Sequence, residues 1–348
     1  MPTIASTKLL TFATALFEGA GVPADEAAIV ARSLVDANLV GHDSHGVIRI
    51  MQYLQVLRDG VNRTGVSLKI LGKTPAVLTC DGQWGLGQVQ AHRLLDHLLP
   101  MAREVGLAAG TLKQCGHIGR LGEYGERVAQ EGLVLFATVN NHGFGRAVAP
   151  PGGKVGRIGT NPICFGLPAG DEPAIVLDIG TSVCAEGKVR VCFNKGAAVP
   201  PGWLLDAEGL PTTDPATFYA SPPGTILPLG GSQAYKGFGL GLVLDMLAGG
   251  LSGAPCSRPE IPARSANAVV FVLFDPAHFA GAAHFRHEVV DLIASVRSSP
   301  PIEGAVITLP GEPERTQRDR REATGISIDD GTWGQLLALA GQVGVTAP

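Results

Sequence analysis

Helical periodicity marks both ends of this chain, while the long middle consists of short β-prone runs cut by glycine. Few architectures accommodate that order, because each type of segment must bury its apolar face against a partner of suitable shape. Residues 4–58 show helical spacing, and VPADEAAIVARSLVDANLVG carries its own boundaries: Pro23 and the following acidic pair open a helix and Gly41 closes it. From about Ala76 the texture changes to AVLTCDG, LAAGTLK, LVLFATVNN, AIVLDIGTS, KVRVCFN and AVVFVLFDP, all read as strands. Helical patterns, QVQAHRLLDHLLPMAREVG and RLGEYGERVAQEG, lie between some of them. A Pro/Gly-rich passage over 196–231 predicts an irregular connection of the functional kind. The tail returns to helix from Asp319. The expected fold is therefore α+β, with a discontinuous helical domain (1–75 and 305–348) enclosing a sheet-rich domain (76–304).

A length of 348 residues with 45% hydrophobic content is ample for a sizeable core. The net charge of −4, without a basic stripe, removes the electrostatic footprint that nucleic-acid binding requires. Six cysteines without a CxxC read as reduced, mostly buried thiols, and the N-terminus lacks the apolar core of a secretory signal, so a cytoplasmic protein is expected. The one long apolar run, GFGLGLVLDMLAGGLSGA, holds Asp245 and many glycines, which suits a closely packed buried helix better than a membrane span.

The stretch GHDSHGVIRIMQYLQ (41–55) concentrates chemistry at an expected helix start. If the helix begins near Ser44, then His45, Arg49 and Tyr53 follow at i, i+4 spacing and share a face, leaving Ser44 as a cap. A proton-donating histidine, an arginine able to grip a carboxylate with two bonds and a tyrosine hydroxyl suit a small α-keto or α-hydroxy acid. A capped surface helix with solvated side chains is the competing reading. A metal-dependent lyase or hydrolase built on His42, Asp43, His45 and His117 is another, and a third is a binding module without catalysis. In CGHIGRLGEYG, His117 lies between a strand and a helix, flanked by glycines that allow close backbone approach or simply mark a turn. Asn161-Pro162 and Gly180-Thr181-Ser182 suit either a phosphate or ribose contact or plain turn chemistry. Lys236 stands before Gly237 at a helix start, placed to contact a phosphate or solvated. The run GEPERTQRDRREATG reads as a solvated surface segment. Neither GFGLGL nor GQWGLG supplies G-x-G-x-x-G, so a Rossmann fold is unsupported, and no Walker A, H-E-x-x-H or G-x-S-x-G sequence occurs.

Taken in order, GHDSHGVIR, HIGRLGEYGE, VAPPGGKVGRIGTNP, LDIGTS, PPGWLLDAEGLPTTDP, YKGFGLGLVLDMLAGGLSGA and LPGEPE resemble the malate/L-lactate dehydrogenase family of non-Rossmann NAD(P)-dependent oxidoreductases. That resemblance implies a three-layered, largely antiparallel cofactor-binding sheet, a helical domain built from both termini, and a homodimer with its active site near the subunit boundary. It implies hydride transfer between NAD or NADP and a 2-oxo/2-hydroxy carboxylic acid, or a cyclic imine-2-carboxylate on the same scaffold, without a metal. Ser44 and His45 match the family's Ser-His pair, and His117 matches a histidine that takes the acid/base role in some members. Arg49 matches the carboxylate holder and Tyr53 a substrate-pocket tyrosine. Asn140, Asn161, Asp178, Ile179, Gly180, Thr181, Ser182, Lys236, Gly237, Pro310, Gly311 and Glu312 fall on positions similar to nicotinamide-nucleotide contacts. Two departures stand out: Gly180 replaces a common alanine, and NNHGFGR replaces the usual Asn-Ser or Asn-Thr. The HIGRLGEYGE form looks like the hydroxycarboxylate dehydrogenase branch.

Overall fold

The computed structural model describes residues 1–260 and 263–348. The chain starts with β1 (Thr3–Ile4), α1 (Ser6–Gly19), α2 (Ala24–Leu39) and α3 (Ile50–Arg58). There follow β2 (Lys69–Lys73), β3 (Val77–Gly85), α4 (Gly87–Val105), β4 (Leu107–Cys115), α5 (Gly122–Gln130), β5 (Val134–Asn140), β6 (Ile163–Ala169) and β7 (Glu172–Ile179). Next come α6 (Glu186–Asn194), three two-residue strands β8 (Leu204–Leu205), β9 (Pro211–Thr212) and β10 (Thr225–Ile226), then α7 (Ala234–Met246). The chain closes with β11 (Asn267–Phe274), α8 (Ala282–Arg297), α9 (Glu312–Thr324), β12 (Ile326–Ser327) and α10 (Asp330–Val343).

Seven strands form the main sheet in the order β2-β3-β4-β11-β5-β6-β7. Every neighbouring pair is antiparallel except β3 and β4, which run parallel because α4 carries the chain back across the sheet. This is a mixed α/β fold with a mostly antiparallel sheet, unlike a doubly wound one. Leu94, Leu95 and Leu98 of α4 and Tyr124 of α5 bury against Leu112 and Phe271 of the sheet. A second cluster joins Leu9, Phe17, Leu34 and Ile50 to Ile326, Leu336 and Leu339 from the other end of the chain. The pairing of β1 with β12 stitches those ends together. A third, smaller core holds Val148, Ile158, Val189, Leu204 and Ile226, around β8, β10 and α6. Among the described residues, no helix is long and apolar enough to cross a membrane.

Several local expectations are corrected. The helix expected from Ser44 starts only at Ile50; before it lie two single 3-10 turns, Asp43–His45 and Val47–Arg49, broken by the extended residue Gly46. KVRVCFN is not a strand but most of α6, where Val189 turns into the third core and Glu186 pairs with Arg190 one turn on. The helical tail begins at Glu312, earlier than Asp319, so the charged run read as solvated is α9 itself. The helix containing GFGLGL buries Gly237, Gly241, Leu244 and Asp245, yet exposes Leu240, Val243 and Met246 in the single chain. The passage over 196–231 is irregular apart from β8 to β10 and the 3-10 segment Pro215–Tyr219.

Candidate active site

Where the helical cluster meets the sheet, a cavity of about 650 Å³ opens, lined by Ser44, His45, Arg49, Tyr53, His117 and Asn161 among others. Loss of a continuous helix over 44–53 does not separate these side chains. The two 3-10 turns and the first turn of α3 carry Ser44, His45, Arg49 and Tyr53 into one wall, and the loop after β4 brings His117 opposite. The His45 and His117 rings stack at a centroid distance of 5.5 Å and an interplanar angle of 29°.

A hydrogen-bonded chain fixes the His117 ring. Gln88 Nε2 donates to the Tyr53 hydroxyl at 3.0 Å, and that hydroxyl lies 2.7 Å from His117 Nδ1. The Gly119 amide N–H, which can only donate, also points at Nδ1, at 3.3 Å. Nδ1 is therefore an acceptor, Tyr53 donates to it, and neutral His117 carries its proton on Nε2. His45 Nδ1 lies 3.0 Å from Ser44 Oγ, so Ser44 partners the ring rather than capping a helix.

Burial, reinforced by the Arg49 charge, pulls the His45 pKa down from 6.5 to about 3. His117 is lowered well below its ordinary value by burial first, then by His45 and Arg49. Both rings are neutral at neutral pH. Arg49 donates from Nε to the Ser44 carbonyl at 2.6 Å and from Nη1 to Gln52 Oε1 at 2.7 Å. Among the described residues it forms no ion pair, leaving guanidinium donors to meet an incoming carboxylate.

The residues expected to contact a nucleotide divide into three groups. Asn161 lines the cavity; its Nδ2 donates to Asp245 Oδ2 at 2.9 Å, and Asn140 Nδ2 donates to Asp245 Oδ1 at 3.1 Å. Thr181 is joined to the cavity wall by bonds to the Thr160 and Asn161 carbonyls, and the Ser182 hydroxyl turns to the Cys184 carbonyl. Asp178 and Ile179 finish β7, the edge strand of the sheet, Gly180 follows it, and the Pro310 carbonyl accepts from Val176 N of that same edge. Gly311 and Glu312 continue from there into α9, where Glu312 caps the Leu309 N–H. A Cβ at Gly180 would meet nothing nearer than the Thr160 carbonyl at 3.5 Å, so glycine in place of alanine is sterically neutral there. Lys236 is exposed and lies over the Tyr235 ring, while Gly237 packs so tightly that a Cβ would fall 2.2 Å from the Leu229 carbonyl. Neither lines the cavity.

The metal alternative loses its ligands. His42 Nε2 meets Glu314 Oε1 at 3.2 Å and both Asp43 oxygens are taken by Arg321, so neither joins His45 and His117. Among the described residues no group of three or more His, Cys, Asp or Glu side chains is placed to hold a metal ion.

Sequence reasoning missed the outer wall. Glu186 Oε1 accepts from Arg190 and, at 2.9 Å, from the Tyr219 hydroxyl, and all three line the cavity. The i, i+4 spacing of Glu186 and Arg190 signalled a helix but was masked by the β-prone reading of that segment. Phe144 and Arg146, from the atypical NNHGFGR segment, also line it.

Comparison with known proteins gives this constellation its context. Residues 4–337 match the malate/L-lactate dehydrogenase family. The chain belongs to that family. Hydroxycarboxylate dehydrogenase B of Escherichia coli O157:H7 is 36% identical over 341 residues, covering 97% of this chain and 93% of the relative. The structure of sulfolactate dehydrogenase from Methanocaldococcus jannaschii superposes with a TM-score of 0.88 at 31% identity, covering 99% of this chain and 98% of that one. Δ1-Piperideine-2-carboxylate reductase from Pseudomonas syringae pvar. tomato superposes at 0.85 with 28% identity, covering 98% and 100%. The chain's similar proteins thus include one named a hydroxycarboxylate dehydrogenase and one named a Δ1-piperideine-2-carboxylate reductase.

Proposed function

We propose that this protein is an NAD(P)-dependent oxidoreductase transferring a hydride between a nicotinamide and a 2-oxo/2-hydroxy carboxylic acid. One observation carries the reading: two stacked neutral histidines and an arginine that forms no ion pair among the described residues share one ligand-sized cavity. The residues present fit a nicotinamide nucleotide. Val139, Phe144 and Pro162 give the cavity an apolar wall suited to the ring, beside the side chain of Asn161. Asp178 to Ser182 and Pro310 to Glu312, adjoining along the β7 edge, would hold the rest of the nucleotide. When bound, the nicotinamide supplies the hydride.

The chain's own side chains do the remainder. Arg49 grips the carboxylate beside the reacting carbon, and His117, fixed by Tyr53 and Gly119, presents Nε2–H to the carbonyl oxygen. His45, with Ser44 at its Nδ1, exchanges the proton, removing it from the hydroxyl in oxidation and supplying it in reduction. Burial is the main cause of both depressed imidazole pKa values, and a carboxylate seated on Arg49 offsets only the smaller share due to the Arg49 charge, which favours proton uptake in that direction. The same cavity suits a cyclic imine-2-carboxylate as second substrate class, a reading favoured by the likeness to the piperideine-2-carboxylate reductase. We place the protein in the cytoplasm, a reading supported by its six unpaired cysteines, and read it as a homodimer, supported by the exposed apolar side of α7.

Arg49→Lys tests the substrate end. The charge is kept but the planar fork is lost, so KM for a 2-oxo acid should rise at least about tenfold. Unchanged steady-state kinetics would remove Arg49 from the site.

A further inference from the structure

Both histidines of the cavity sit on irregular chain, and short 3-10 turns hold their own geometry poorly. A displacement of about 1 Å at such a site is enough to cost two orders of magnitude in rate. We infer that one face of α9 holds both in place: Glu314, Arg318 and Arg321, at i, i+4 and i+7, are positioning residues for His45 and His117. This rests on the dehydrogenase reading of the cavity.

The Arg321 contacts are the most direct. Its Nη1 donates to Asp43 Oδ1 at 2.6 Å and its Nη2 to Oδ2 at 3.0 Å, while Nη1 also reaches the Asn38 carbonyl. The Asn38 amide donates to the same Asp43 Oδ1 at 2.7 Å, and its own oxygen accepts from Val47 N at 2.8 Å. Gly46 passes so near that an added Cβ would lie 2.2 Å from Asn38 Oδ1. Residues 43 and 47, with Ser44 and His45 between them, are thus pinned to α2 and, through Asp43, to α9. Just ahead of that segment, His42 is held by Glu314.

The second loop is tied through charge. Arg120, three residues beyond His117, has a side chain only 2% exposed. Its Nη2 is shared by Asp36 Oδ2 at 3.0 Å and Glu126 Oε1 at 2.9 Å. Arg318 takes the other oxygen of each, Asp36 Oδ1 at 2.6 Å and Glu126 Oε2 at 3.6 Å. A buried guanidinium stays where its carboxylates are, because leaving them strands a charge away from water. The His117 loop is therefore anchored to α2, α5 and α9 at once. None of the three α9 residues lines the cavity, so their effect passes through the loops.

The test uses the full-length chain with Arg321→Gln, Asp43→Asn and Arg321→Lys. Imidazole resonances of His45 and His117 are followed by NMR without ligand, and single-turnover hydride transfer is followed with protiated and 4-deuterated NAD(P)H. In Arg321→Gln and Asp43→Asn, both His45 ring signals should move or broaden, and the hydride step should slow about tenfold or more while NAD(P)H Kd stays within about twofold. The deuterium isotope effect should rise, and Arg321→Lys should recover part of the rate. His45 signals and hydride rates at wild-type values in both variants overturn the inference; should Arg321→Gln not fold, Asp43→Asn alone decides. A wild type that transfers no hydride to any 2-oxo acid defeats the dehydrogenase reading instead, and the ring signals then decide the clamp by themselves.

Discussion

At the residue scale, the histidines set the pH behaviour. His45 falls from 6.5 in the unfolded chain to about 3 in the folded one, chiefly through burial. Below about pH 6.5 the unfolded state therefore binds protons that the folded state refuses, and stability falls as the pH drops toward 3. Between pH 6.5 and 5 the loss is at most about 2 kcal/mol for such a group. Urea midpoints of the wild type should thus decline over that range more than those of a His45→Asn/His117→Asn double variant; equal declines contradict the assigned burial. Catalysis carries the same sign. Oxidation of a hydroxy acid needs a neutral base, so kcat/KM of the wild type should stay level through pH 6.5 instead of breaking there. Comparison of His45→Ala with His117→Ala then separates the roles: the proton-exchanging residue loses turnover far more than cofactor affinity.

At the element scale, α7 combines a tightly packed side with a buried carboxylate in its last turn. Asp245 is 2% exposed and accepts from Asn140, from Asn161, and from both the amide and the hydroxyl of Ser257. Asp245→Leu removes the acceptor of four hydrogen bonds, two of them buried, and a loss of at least about 3 kcal/mol in unfolding free energy is expected; a change below about 1 kcal/mol denies that role. How legible such elements were varied with how local their causes are. GHDSHGVIR stood out because polar, reactive side chains crowd a short stretch, and the cavity gathers His45, Arg49 and Tyr53 although the helix expected there starts later. KVRVCFN misled because two valines and a phenylalanine give it a β-prone look, whereas its conformation is set by Val189 packing on residues from other segments and by the Glu186–Arg190 pair. α9 misled because its charges have partners near the other end of the chain: Arg318 reaches Asp36 and Arg321 reaches Asp43. Separation along the sequence hides such pairs, so a charge run gripping two loops reads like one facing water.

At the scale of the whole molecule, helices from both termini close over one end of a mostly antiparallel sheet, and the cavity lies at that junction. Outside it, Val243 and Met246 of α7 and Leu251 just beyond are more than half exposed, at 52%, 54% and 59%. On the dimeric reading proposed above, with this stripe as the association surface, Val243→Glu should convert a wild-type dimer to monomer in sedimentation equilibrium; a wild type already monomeric contradicts that reading. The central claim concerns the cavity itself. Its most direct test is the loss of reduced-nicotinamide absorbance when the purified chain meets a panel of 2-oxo acids and cyclic imine-2-carboxylates with NADH and with NADPH. The account predicts turnover with at least one acid, abolished when the carboxylate next to the reacting carbon is replaced by a neutral amide. No turnover across the panel with either cofactor, or equal turnover of acid and amide, would contradict it.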